Sequence, residues 1–143
     1  MRLTAYTDYA LRVLIRLALQ PQGLTTIVEI AKGYDVSESQ VHKLGVAGLI
    51  DTVRGRNGGL RLRKSPAAIS VGRVVRLMEP DMGIVPCFND ASGCVIEPAC
   101  LLIGTLAEAR DAFLAALDHY TLADLVKPRR RLSALLPVEP RPA

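Results

Sequence analysis

The chain has no tryptophan, and four tyrosines and two phenylalanines bring aromatic residues to only 4% of it. A core must therefore be built from Leu, Val, Ile and Ala, a composition that favours helices. Long apolar runs are missing too, because Arg12, Arg16 and Glu108 interrupt the best candidates, well short of a membrane span. The opening residues are too charged for a signal peptide, which predicts a cytoplasmic protein. Catalytic signatures are absent: there is no Gly-x-Ser-x-Gly, no phosphate loop and no His-Glu-x-x-His, so an enzyme is not expected. The glycine-rich Arg56-Asn57-Gly58-Gly59 falls in a hairpin and does not read as a nucleotide site.

What is present fits one compact domain and an extra helix in 143 residues. The net charge of +4 is unevenly spread. Residues 1–64 hold ten Lys/Arg against five Asp/Glu, residues 65–119 three against seven, and residues 120–143 five against two. A basic first half followed by an acidic middle suggests that only part of the chain faces a polyanion.

Hydrophobic periodicity predicts a first helix over 7–19, with Ala10, Leu11, Leu14, Leu17 and Ala18 inward and Arg12 and Arg16 on the opposite side. Thr25 or Thr26 caps a second helix, Ile27 to Lys32, and Ser37 caps a third that runs towards Gly48. Ile30, Ala31, Val36, Val41 and Leu44 are the expected core of this helix-turn-helix. Two strands follow, Leu49 to Arg54 and Leu60 to Arg63, joined by a glycine-rich turn suited to positive φ. A basic hairpin directly after a helix-turn-helix is a wing. Ser70 caps a fourth helix through Glu79, and Pro80 ends it.

A long helix over roughly 101–119 carries Leu102, Leu106, Ala109, Phe113, Ala116 and Leu117 at three- and four-residue spacing. One winged-helix domain does not easily bury such a stripe, so it reads as a dimerisation helix. The expected fold is mainly α with a small β-wing. It divides into a winged helix-turn-helix DNA-binding domain (1–79), a cysteine loop (80–100), the dimerisation helix (101–126) and a flexible basic tail (127–143).

Cys87, Cys94 and Cys100 are the only cysteines and fall within fourteen residues. An odd number in a cytosolic chain argues against disulfides. Three clustered thiols suit a soft metal centre: zinc, copper(I) or an iron–sulfur cluster. Zinc wants a fourth Cys or His nearby, and neither His42 nor His119 has that spacing.

Several segments together resemble the NsrR group of nitric-oxide-sensing repressors, within a winged-helix iron–sulfur regulator family that also includes IscR and RirA. They are Met1-Arg2-Leu3-Thr4 with Thr7-Asp8-Tyr9-Ala10-Leu11-Arg12, the wing Thr52 to Leu62, and Val74-Val75-Arg76 to Glu79-Pro80. Cys87-Phe88, Cys94, Pro98-Ala99-Cys100 and Tyr120 to Leu125 complete a match over residues 1–126. The resemblance implies a homodimeric repressor with an iron–sulfur cluster of 4Fe–4S type, rather than 2Fe–2S, in each subunit. It assigns the ligands as Cys87, Cys94 and Cys100 from one subunit and Asp8 from the other. Arg12, one turn on, is placed to hold that carboxylate. IscR-type sites have a histidine three residues after the third cysteine, where this chain has Ile103. RirA-type proteins have asparagine at the position of Asp8.

The reading head departs from the family. From Ser37 to Gly48 the chain has eleven steps, about four residues, or one helical turn, fewer than the family's segment. Ser37, Ser39, Gln40 and Lys43 are expected at the major groove, and Arg54, Arg56 and Arg61 of the wing at phosphates or an A·T-rich minor groove. Two-fold symmetry predicts a palindromic operator in double-stranded DNA. Three alternatives remain open: an iron- or cluster-status sensor of the same fold, a cluster-free zinc or thiol redox regulator, and a protein–protein module that no longer binds DNA.

Overall fold

A computed structural model of the chain describes residues 2–34, 38–88 and 93–136. Helix α1 (Ala5–Ala18) starts at Thr4, whose hydroxyl accepts from the Thr7 amide. Its Ala10, Val13, Leu14 and Leu17 are almost wholly buried and form the centre of the core. Helix α2 (Ile27–Gly33) begins with a reciprocal capping box between Thr26 and Glu29, an arrangement typically worth about 1 kcal/mol. Helix α3 (Glu38–Val46) adds Val41 and Leu44 to the same core. Ser37 and Val36 lie outside the described residues.

The wing follows as the antiparallel pair β1 (Ile50–Val53) and β2 (Gly59–Leu62), in the register Ile50↔Leu62 to Val53↔Gly59. Thr25 pairs with Leu60 on the other side, so the wing is stitched to the chain entering α2. Of the expected turn glycines only Gly55 has positive φ, at 112°. Gly58 serves a different need: a Cβ there would sit 2.2 Å from the Val53 carbonyl oxygen.

Helix α4 (Val71–Met78) is capped by Ser70 and buries Val74, Val75 and Met78. Helix α5 (Leu102–Asp118) leaves the domain with Leu114 as its only buried residue. Of the expected stripe, Leu102, Ala109 and Ala116 are exposed, and Leu106, Phe113 and Leu117 are half-buried. The chain returns through α6 (Leu122–Leu125), where the Val71 amide donates to the Tyr120 carbonyl at 2.9 Å and the Leu122 amide to that of Ile69 at 2.8 Å. Asp118 receives a bidentate bond from Arg76 at 2.7 Å for each nitrogen, and that pairing fixes the base of α5 to α4. Gly72 makes the approach possible, because a Cβ there would lie 2.1 Å from the Asp118 carboxylate.

Three expectations change. Ala31 is exposed rather than core, lying on the solvent side of a helix whose Ile30 points inward. Arg16 is buried at 6% exposure, its guanidinium donating to the Leu136 carbonyl. The basic tail is not wholly flexible: Arg129–Leu135 forms α7. The Arg129 guanidinium donates to the Leu19 carbonyl at 2.5 Å and so satisfies an orphan acceptor at the end of α1. Residues 137–143 lie outside the described ones. No helix among the described residues is long and apolar enough to cross a membrane.

Candidate nucleic-acid interface and cysteine loop

The wing presents its cations as the sequence expects. Arg54 and Arg56 are exposed at the hairpin tip, and Arg61 is exposed on β2. Asp51, on β1, lies between Arg61 at 3.8 Å and Arg63 at 3.9 Å. Those separations in solvent leave both arginines able to engage a phosphate.

The reading helix is turned differently from the expectation. Ser39 is exposed, but Gln40 is only 7% exposed. The Lys43 ammonium donates to the Met78 carbonyl at 2.7 Å and lies 5.0 Å from the Tyr6 ring centre. Gln40 and Lys43 are thus structural residues here, not groove-facing ones. The cause is helical phase: burying Val41 and Leu44 carries Gln40 inward with them and leaves Lys43 beside α1 and α4. Among the described side chains of α3 the outward ones are Ser39, His42 and Val46, the last 76% exposed. Sequence reasoning passed over His42 and Val46. Counting three and seven residues on from Ser39, away from the apolar pair, would have found them.

Asp8 lies in the first turn of α1 and is held by Arg12, with Nε to Oδ1 at 3.1 Å and Nη2 to Oδ2 at 2.8 Å. Both side chains are roughly half exposed. The Arg12 guanidinium also lies 5.6 Å from the ring centre of Tyr34, which ends α2. Asp8 is therefore linked, through one arginine, to the residue that ends α2.

The cysteine loop is anchored at its start. Glu79 precedes Pro80, and its Oε1 accepts from the Thr4 amide at 2.9 Å and hydroxyl at 3.1 Å. Phe88, next to Cys87, packs under the Arg110 guanidinium of α5 at 5.1 Å. A cavity of about 410 Å3 opens between Arg2–Thr4, residues 79–84, Arg110 and Phe113. Gly93, at φ 55°, leads into Cys94, and the Glu97 amide donates to the Cys94 carbonyl at 3.1 Å. All three thiols are unbridged; Cys94 is exposed and Cys87 and Cys100 are half-buried.

In donor chemistry this set fits a thiolate-held iron–sulfur group. Among the described residues of the single chain, no three His, Cys, Asp or Glu gather at metal-binding distance. Residues 89–92, between the first two cysteines, lie outside the described ones.

Residues 3–128 match the Rrf2 family, described as iron-dependent transcriptional regulators. The chain belongs to the Rrf2 family. It is 44% identical to the HTH-type transcriptional regulator NsrR of Halalkalibacterium halodurans over 98% of this chain and 100% of that one. Against the protein of the same name from Bacillus subtilis it is 47% identical, over 95% and 97%. Among solved structures, CymR, the global cysteine regulator of B. subtilis, superposes with a TM-score of 0.69 at 30% identity, over 90% of this chain and 98% of CymR. The T. potens IscR structure shares the fold, with a TM-score of 0.71 at 23% identity over 92% and 90%. The Rrf2 chain described here is a transcriptional regulator with a winged helix as its DNA-binding unit.

Proposed function

We propose that this Rrf2 chain is a homodimeric repressor, rather than an enzyme, that responds to nitric oxide through an iron–sulfur cluster of 4Fe–4S type. Cys87, Cys94 and Cys100 of one subunit and the partner subunit's Asp8 would hold it. When bound, such a cluster supplies an iron atom open to a small diatomic ligand. The observation that carries this reading is the trio of unbridged thiols in the loop that Glu79 ties to the first turn of α1. The near full-length likeness to regulators named NsrR favours nitric oxide over iron status as the signal. The half-exposed stripe on α5 supports dimerisation.

The chain's own residues supply a route from loop to reader. Glu79 holds Thr4, the cap of α1. Two residues on, the Tyr6 hydroxyl donates to the Ser39 carbonyl at 2.8 Å, and Lys43 joins α3 to the last turn of α4. Burial raises the Tyr6 phenol above its ordinary pKa. Asp8 is linked through Arg12 to Tyr34 at the end of α2. A shift of the Glu79–Thr4 anchor would therefore reach α3 through contiguous contacts, which is the physical requirement for coupling.

The test is iron and acid-labile sulfide content of protein purified without oxygen, for the wild type and Cys94→Ser. The proposal expects iron and sulfide in about equal amounts in the wild type and a large loss in the variant. A colourless wild type that stays metal-free after reconstitution would favour a second reading, a thiol switch, for which the exposed Cys94 is the supporting observation.

A further inference from the structure

We infer that the base-reading surface of this chain is the stripe Ser39, His42, Gly45 and Val46 of α3, with His42 as the specificity-determining side chain. The inference rests on the DNA-binding reading and narrows it to an edge of the helix that the apolar pattern had assigned elsewhere. Three observations carry it.

The first is phase. Val41 and Leu44 are buried at 5% and 0% exposure and Gln40 at 7%, and the Lys43 ammonium is committed to the Met78 carbonyl. A helix with that side inward presents residues 39, 42 and 46 on the other, one above the next.

The second is Val46. A valine 76% exposed on a helix of only nine residues leaves most of its apolar surface uncovered within the chain. In a major groove its methyls meet the 5-methyl of thymine, an apolar contact that distinguishes bases.

The third is Gly45. Glycine inside a helix costs about 1 kcal/mol relative to alanine. A Cβ at this position would meet nothing within 4 Å, and the backbone is not left-handed. Neither packing nor conformation within the chain requires glycine here. Its missing side chain would let a base edge or DNA backbone approach the helix closely.

His42 stands between these features. Its ring N–H donates to the O6 or N7 acceptors of guanine in the major groove. His42 and Val46 are four residues apart, a rise of about 6 Å, against about 3.4 Å per base-pair step. Each half-site should therefore carry a G·C pair and a T·A pair one or two steps apart.

The experiment selects duplexes from a randomised library with the full chain, then measures binding to the selected duplex and its single-pair variants. For the wild type, replacing the G·C pair lowers affinity about tenfold or more; in His42→Ala that ratio falls close to one at this position and persists elsewhere. Replacing the thymine with deoxyuridine weakens the wild type and leaves Val46→Ala indifferent. Gly45→Ala raises Tm while weakening binding, a combination that a purely structural glycine does not give. His42→Ala keeping the wild-type preference at every position, or Gly45→Ala binding as well as wild type, would overturn the inference while DNA binding stands. A wild type that selects no sequence would remove the DNA-binding reading, and this inference with it.

Discussion

The carboxylate of Glu79 accepts two hydrogen bonds from Thr4, one from the backbone amide at 2.9 Å and one from the hydroxyl at 3.1 Å. The residues are 75 positions apart, yet they join the last turn before the cysteine loop to the cap of the helix that backs the reader. A negative charge at a helix N-terminus is favourable in itself. Glu79→Ala should cost roughly 1–3 kcal/mol and lower Tm by several degrees, whereas Glu79→Gln keeps an acceptor and should lose less. Thermal unfolding of the two variants checks this, and equal loss in both would show that the bonds to Thr4 contribute little.

Lys43 and Arg56 should separate cleanly in salt titrations of DNA binding. Arg56 is exposed at the wing tip, so Arg56→Ala should reduce the slope of log K against log salt by about one. Lys43 is engaged inside the domain, so Lys43→Ala should lower Tm and leave the slope unchanged.

Asp118 and Asp124 lie below the ordinary carboxylate pKa of 3.8. For Asp118 the chief cause is its bond to Arg76; for Asp124 it is Lys127, followed by the Thr121 cap. A depressed folded-state pKa stabilises above the unfolded value and loses that contribution as pH falls through the folded one. Tm should therefore fall as pH drops below about 4. Asp118→Asn and Asp124→Asn should each flatten that part of the profile. Because Asp118 is roughly half exposed, its effect should shrink in about 1 M salt.

The outward side of α5 gives a prediction about assembly. Leu102 and Ala109 are exposed in the single chain, so Leu102→Glu with Ala109→Glu should not disturb the domain fold. Sedimentation equilibrium should move from twice the 15.5 kDa chain mass to once that mass, with helical content retained. A wild type that sediments as a monomer would contradict the dimer.

The fold was largely legible because its elements carry strong local signals. Thr26 with Glu29, Ser70 before an apolar run, and the glycine-rich hairpin all act within a few residues. The inward face of α1 followed from its spacing. What the sequence hid depends on tertiary company. Arg16 looks like a solvent-facing arginine until α7 supplies the Leu136 carbonyl. Lys43 and Gln40 look like groove readers until the burial of Val41 and Leu44 sets the phase of α3. In the candidate site, the cysteine trio was readable from clustering and the roles of Asp8 and Arg12 came from the resemblance, but the Glu79–Thr4 anchor was not readable. No local pattern links residues so distant in the chain.

Under the proposed function, nitric oxide releases this regulator from DNA through the cysteine loop. The most direct test is binding to the library-selected duplex, under nitrogen, as nitric oxide is titrated into protein with a cluster band near roughly 400 nm. Affinity and the band should change together over the same nitric oxide range, and Cys94→Ser should show neither change. Full DNA affinity retained after the band has been lost would contradict it.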